Sequence, residues 1–218
     1  MGKKMRRKVG VFDATAPYYP SDALSLDELA YWIAFSRVQG IGPVRFKMLL
    51  KFFQEDVAAA WHATSQELTA SGLDQKTLNS FLQQRATIVP QQELERLERL
   101  RIHVITWRDA AYPPLLRRIE YAPPVLYVCG KITNDDRNFS LGIVGTRKMS
   151  HYGRQVTERL TRDLVQGQLT IVSGLALGID TVAHTTALTI AVFCSPYLIG
   201  FPARNAYPVW KCQNTFQA

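Results

Sequence analysis

An α/β fold behind a small all-helical module is predicted from three observations. Before about residue 101 apolar residues recur at helical spacing. After residue 102 short apolar runs alternate with helical segments, which argues a parallel sheet joined by crossover helices. Two of those runs, Leu141–Gly145 and Leu169–Gly174, end in glycine turns that open onto a helix. The expected organisation is a basic flexible tail over 1–24 and a helical domain of SAM or helix-hairpin-helix type over 25–101. An extended Rossmann-like domain over 102–218 follows, its sheet incomplete on the C-terminal side.

The tail carries Lys3, Lys4, Arg6, Arg7 and Lys8, then Pro17 and Pro20. It lacks the apolar run of a secretion signal, and a solvated tail is favoured over a dedicated DNA-binding arm. In the helical region Leu29, Trp32, Ile33 and Phe35 form one stripe, and Phe46, Leu49, Leu50 and Phe53 another. Between them lies Val38-Gln-Gly-Ile-Gly-Pro43, the pattern of a helix-hairpin-helix turn. Gly40 and Gly42 would let the backbone approach a phosphate, and Arg45 and Lys47 follow on the next helix. A purely structural turn reads equally well there. Pro90 starts another helix, backed by Leu94, Leu97 and Leu100. No internal repeat stands out.

Strands are expected at Ile102–Thr106 and Val125–Cys129, separated by Tyr112-Pro-Pro114 and Pro123-Pro124. Residues 102–140 are expected to extend the same sheet as strands 141–145 and 169–173, with helices over 151–166 and 178–187. Thr189–Phe193 reads as the third parallel strand. Pro196, Pro202 and Pro208 argue against a continuous strand beyond it.

The chain has 218 residues, of which 47% are hydrophobic, enough for a packed core. Its formal net charge of +8 favours polyanionic partners, and no apolar run approaches a membrane span. The 3 cysteines are odd in number and widely spaced, and neither C-x-x-C nor H-E-x-x-H occurs. No metal and no disulfide framework is expected, Cys129 reads as a buried thiol, and a cytoplasmic setting fits.

The glycine turns carry the chemistry. A strand feeding a helix through glycine aims backbone N–H groups at a common point, which suits a phosphate. Gly145, Thr146, Arg147 and Lys148 form the first turn, Arg147 able to grip a phosphate with two hydrogen bonds. Ser150 is placed to cap the next helix, with Tyr152 and Gly153 in its first turn. Ser173, Gly174 and Gly178 repeat the design. Asp180 could hold Arg147, cap the second helix or receive a ribose hydroxyl. The nicotinamide G-x-G-x-x-G, the G-x-x-x-x-G-K-[ST] loop and the G-x-S-x-G elbow are all missing. His151 and His184 are weak acid–base candidates, so no catalytic residue and no cofactor is predicted.

These segments resemble the DNA-processing protein A family (DprA, also called Smf), whose members carry V-G-x-R-x-x-S-x-Y-G followed by S-G-x-A-x-G-I-D and a histidine. Here the matches are Val144-Gly-Thr-Arg147, Ser150, Tyr152-Gly153, then Ser173-Gly174, Ala176, Gly178-Ile-Asp180 and His184. The resemblance covers roughly 25–193, including Tyr112–Leu116 and Pro124–Gly130. It implies a non-enzymatic protein that binds single-stranded DNA through the glycine-turn residues, forms a homodimer, and assists loading of a RecA-type recombinase in natural transformation. Phe201-Pro-Ala-Arg-Asn205 matches either of two family segments and makes Arg204 a candidate DNA contact. Nothing after Asn205 matches, so the end of the chain reads as truncated, internally deleted or altered in frame. The competing enzyme reading is a nucleotide-cleaving phosphoribohydrolase on a related fold, but its G-G-G-x-G-T-x-x-E loop is absent. An inert fragment is the third reading.

Overall fold

The computed structural model describes residues 24–100, 102–129, 140–174, 176–190 and 198–200. The basic tail, the Arg204 segment and the Cys129 side chain lie outside the described residues. The chain divides into two compact units, with the break after Cys129.

In the first unit, α1 (Leu26–Arg37) starts at a reciprocal cap. The Glu28 N–H donates to Ser25 Oγ (3.2 Å), and the Ser25 N–H donates to Glu28 Oε2 (3.0 Å). α2 (Pro43–Phe52) opens on proline, α3 (Val57–His62) on Asp56, and α4 (Ser65–Ala70) on a second capping box from Thr64 and Glu67. α5 (Gln75–Arg85) is capped by Asp74, and α6 (Pro90–Arg99) again begins with proline. Hydrogen bonds from the Thr77 backbone and hydroxyl, helped by Arg45, hold the pKa of the Asp74 carboxyl down at about 2.

The apolar faces meet in an aromatic core. Phe35 stacks on Phe81 at 5.5 Å, and Trp61 meets both edge-on. Trp32 and Phe46 pack edge to face at 4.9 Å. Each of these buried rings contributes roughly 1.5–3 kcal/mol of transfer free energy.

β1 (His103–Thr106) and β2 (Val125–Cys129) pair antiparallel, with His103 opposite Val128 and Thr106 opposite Val125. α7 (Pro114–Arg117) lies between them in sequence. Val104 and Val125 join the same core as the helices. The pKa of the Tyr127 hydroxyl, which is bonded to Ser36 on α1, is pushed up to about 12 by burial. From the sequence, residues 102–140 are expected to extend the sheet of the glycine turns. The structure groups this strand pair with the helices instead, because its apolar residues complete their core.

Two turns in this unit share one form. Gly40 has φ of 99° and is followed by buried Ile41 and the cap Gly42, while Gly72 has φ of 97° and is followed by buried Leu73 and the cap Asp74. The resemblance is one of backbone, and little of it shows in the residue types.

The second unit contains β3 (Ser140–Gly142), α8 (His151–Gln166), β4 (Thr170–Val172), α9 (Ile179–Ile190) and β5 (Leu198–Gly200). β3 and β4 are parallel, Ser140 opposite Thr170 and Gly142 opposite Val172, and α8 makes the crossover. Val165, Ile171 and Ala183 form the small core between α8, β4 and α9. The helix expected over 151–166 has those bounds, whereas the other helix runs past its expected end. Thr189 and Ile190, expected to begin a strand, are the last residues of α9. Its threonines return their hydroxyls to the preceding turn: Thr185 Oγ1 donates to Thr181 O (2.9 Å) and Thr189 Oγ1 to Thr185 O (2.8 Å). This back-bonding satisfies the threonine hydroxyls within the helix. Residues 191–193 lie outside the described residues. β5 lies between Pro196 and Pro202, where no strand is expected. No helix among the described residues is long and apolar enough to cross a membrane.

Arg85 closes α3: its Nη1 donates to Trp61 O (2.6 Å) and Ala63 O (2.8 Å), while the guanidinium lies over Phe81 at 5.3 Å. Arg85→Met would leave both carbonyls short of a donor. Urea unfolding followed by tryptophan fluorescence is expected to show a loss of about 1–3 kcal/mol.

Candidate nucleic-acid interface

The first glycine turn leaves β3 along a continued ladder, the Ile143 N–H donating to Val172 O (2.9 Å). The Gly145 N–H then turns inward to Asp180 Oδ1 (3.2 Å). Thr146 folds the next residues locally, its hydroxyl accepting from the Lys148 N–H (3.2 Å). Ser150 caps α8, as expected from the sequence, by accepting from the Gly153 N–H (3.1 Å). Gly153 in turn offers its carbonyl to Thr157 Oγ1 (2.8 Å).

The second turn packs against the first. The Gly174 N–H donates to Asp180 Oδ2 at 3.1 Å, and the Ala176 N–H lies 3.4 Å from the same oxygen. The Ile179 N–H, at the start of α9, donates to Thr146 O (3.2 Å). Gly178 has φ of 89°, and a Cβ there would sit 2.2 Å from Thr146 O and 2.7 Å from Arg147 O. A Cβ on Gly145 would lie 2.7 Å from Ile179 Cβ. Gly178 thus lets the two turns touch main chain to main chain, and Gly145 leaves room for the Ile179 side chain.

The structure brings together the residues of 145–153 and 173–178, all in the second unit. Thr146, Arg147, Lys148, Ser150 and Tyr152 are exposed, Tyr152 by 75%. Gly145 and Gly174, read from sequence as offering their N–H groups to a phosphate, instead direct them to Asp180. That role for Asp180, only 4% exposed, is not among the three the sequence suggested. Its signal was an acidic residue in the first turn of a helix directly after a glycine turn. Ser173 Oγ and His184 Nε2 are buried without a hydrogen-bond partner among the described residues.

The hairpin residues belong to the first unit. Gly40 and Gly42 form the turn as expected, and Lys47 is exposed. Arg45 is committed locally: Nη1 donates to Gly40 O (3.1 Å) and Nη2 pairs with Asp74 Oδ2 (2.9 Å). Gly42 caps α2 without a side-chain hydrogen bond.

Two tests follow from the contact between the turns. Gly178→Ala combines a steric clash with a left-handed backbone and is expected to cost at least about 1–3 kcal/mol. Faster amide exchange in α9 and β4 than in wild type would report it. The second test concerns His184, whose pKa burial lowers below 6.5. Folding therefore favours the neutral ring. That stabilisation is complete above the unfolded value and disappears as pH falls through the folded one. Acidification from about pH 7.5 to about pH 5.5 is expected to speed exchange in α9 more for wild type than for His184→Leu.

The model of the family described as DNA recombination-mediator protein A matches residues 103–215. The match continues past Asn205, where the sequence reading loses the resemblance, and it includes Arg204. The chain is 37% identical over 187 residues to Protein Smf of Synechocystis, covering 82% of this chain and 47% of that protein. It is 28% identical over 187 residues to the DNA processing protein DprA of Bacillus subtilis, covering 83% of this chain and 62% of that one. The chain thus spans about half to three fifths of the length of these relatives. The X-ray structure of DNA processing protein A from Streptococcus pneumoniae superposes with a TM-score of 0.50 at 26% identity, covering 74% of this chain and 54% of that one. With the family model spanning more than half of its length and the glycine turns in place, this chain belongs to the DNA recombination-mediator protein A family, that of DprA and Smf.

Proposed function

We propose that the chain binds single-stranded DNA across the exposed Thr146–Lys148 turn of a Rossmann-like sheet, without catalysing a reaction. The observation that carries this reading is the turn itself. Arg147 and Lys148 are exposed on a backbone fixed from beneath by Asp180 and α9. A fixed turn presents its cations to phosphate with little ordering cost. Tyr152, on the first turn of α8, supplies an exposed aromatic ring for stacking a base. Phosphate contact plus stacking is tolerant of sequence, as a protein handling arbitrary strands requires. Ser150 and Gly153 shape the turn by capping α8, and Ser173, Gly174 and Gly178 support it from the second turn. Arg204 is proposed as a further contact from the family match alone. Homodimer formation, recombinase loading and a cytoplasmic setting are the wider roles proposed from membership of the family. The helical unit, with Gly40, Gly42, Arg45 and Lys47, is proposed as a secondary contact at most.

Fluorescence anisotropy with a labelled oligo-dT, repeated over a salt series, tests the main reading. Binding should weaken steadily with salt as counterions are released. Undetectable binding by folded protein at low salt would overturn it. Arg147→Ala is expected to lose about 1–3 kcal/mol of binding free energy, one charge-assisted phosphate contact. Arg45→Ala should lose less, because Arg45 is already committed to Gly40 and Asp74. The reverse ranking would move the DNA surface to the helical unit.

A further inference from the structure

The crevice between the two glycine turns, at the carboxyl ends of β3 and β4, is filled at its inner end by the Asp180 side chain. In parallel α/β sheets a ligand phosphate characteristically sits beyond the carboxyl ends of the strands, at a helix N-terminus and among glycine-turn amides. Here that position holds the Asp180 carboxylate. It accepts from the Gly145 N–H after β3 and from the Gly174 and Ala176 N–H groups after β4. It belongs to the first turn of α9, whose leading N–H is taken by Thr146 O. With Asp180 only 4% exposed and its Oδ2 3.0 Å from where a Gly174 Cβ would lie, space for a second anion is lacking. A phosphate pressed into those amides would also face a carboxylate in a setting that screens charge poorly.

We infer that Asp180 acts as a built-in substitute for a ligand phosphate, positioning the Arg147 turn and excluding nucleotide phosphates from the inner crevice. Phosphates are thereby confined to the outer rim at Thr146, Arg147 and Lys148. Rim contacts are shallow and single, so they reward a ligand that offers several phosphates in a row. Selectivity for a strand over a mononucleotide follows. The inference rests on the DNA-binding reading for its outer rim, whereas its inner half concerns the fold alone.

The test compares the full chain with Asp180→Asn and Asp180→Ala. Thermal unfolding is measured in chloride and then in inorganic phosphate or thymidine monophosphate at matched ionic strength, alongside oligo-dT anisotropy. Wild type should show no extra stabilisation by either anion. Asp180→Ala should unfold at lower temperature and recover in phosphate, which refills the amide site. Asp180→Asn, which keeps one acceptor and the shape, should fold and bind oligo-dT roughly tenfold more weakly, as when one hydrogen-bonded contact is lost. Like wild type it should show no response to phosphate, because the amide still fills the space that Asp180→Ala vacates. Three results would overturn the inference: stabilisation of wild type by the mononucleotide, Asp180→Ala indifferent to phosphate, or failure of both variants to fold in either buffer. Should wild type bind no oligo-dT while phosphate still rescues Asp180→Ala, the DNA reading alone falls.

Discussion

The Asp180 carboxylate, nearly buried at the start of α9, is the contact on which the arrangement of the two glycine turns depends, because its oxygens bond main chain from both. Hydrogen bonds to a charged acceptor contribute about 1.5–3 kcal/mol each, more than neutral ones. They would be spent on a floppy loop if the turns could drift apart. Gly178 and Gly145 prevent that by removing the side chains that would hold the loops at arm's length. The carboxylate supplies attraction, and the glycines supply the proximity at which it acts.

Much of the second unit was legible in the residues. Ser150 followed by an amphipathic run marked α8 with its bounds, since a capping hydroxyl and a helical apolar stripe are both local signals. Strands β3 and β4 were visible as apolar runs ending in glycine. The end of α9 was not. Thr189 and Ile190 have the β-branched character of a strand, and the bond from the Thr189 hydroxyl to Thr185 O exists only once the helical turn has formed. The amide grip of Asp180 was hidden for a related reason: it joins residues 35 positions apart, which spacing alone does not reveal.

In the first unit, capping boxes at Ser25 and Thr64 and prolines at 43 and 90 punctuate the chain, so helices were readable. What periodicity could not tell was which core the strand pair serves. Val104 and Val125 look alike whether they face a crossover helix or the aromatic cluster of Phe35, Trp61 and Phe81. The kinship of the Gly72 turn with the Gly40 turn is faint in sequence because Gly72-Leu73 and Gly40-Ile41 are their sole likeness, and Asp74 stands in the place of Gly42. That replacement places a carboxylate at the second turn, where it pairs with Arg45, whose other nitrogen bonds Gly40 O of the first.

The placement of Val104 and Val125 among the helices has a consequence for synthesis. A core assembled from residues of one sequence neighbourhood can close while the ribosome is still extending it. Here α1 to α6 precede the strands that complete their core, and Tyr127, which bonds Ser36 on the first helix, comes 91 residues later. The helices therefore emerge with an apolar face uncovered until β2 has left the exit tunnel. Until then that face stays open to solvent, and a translational pause before residue 129 would lengthen its exposure.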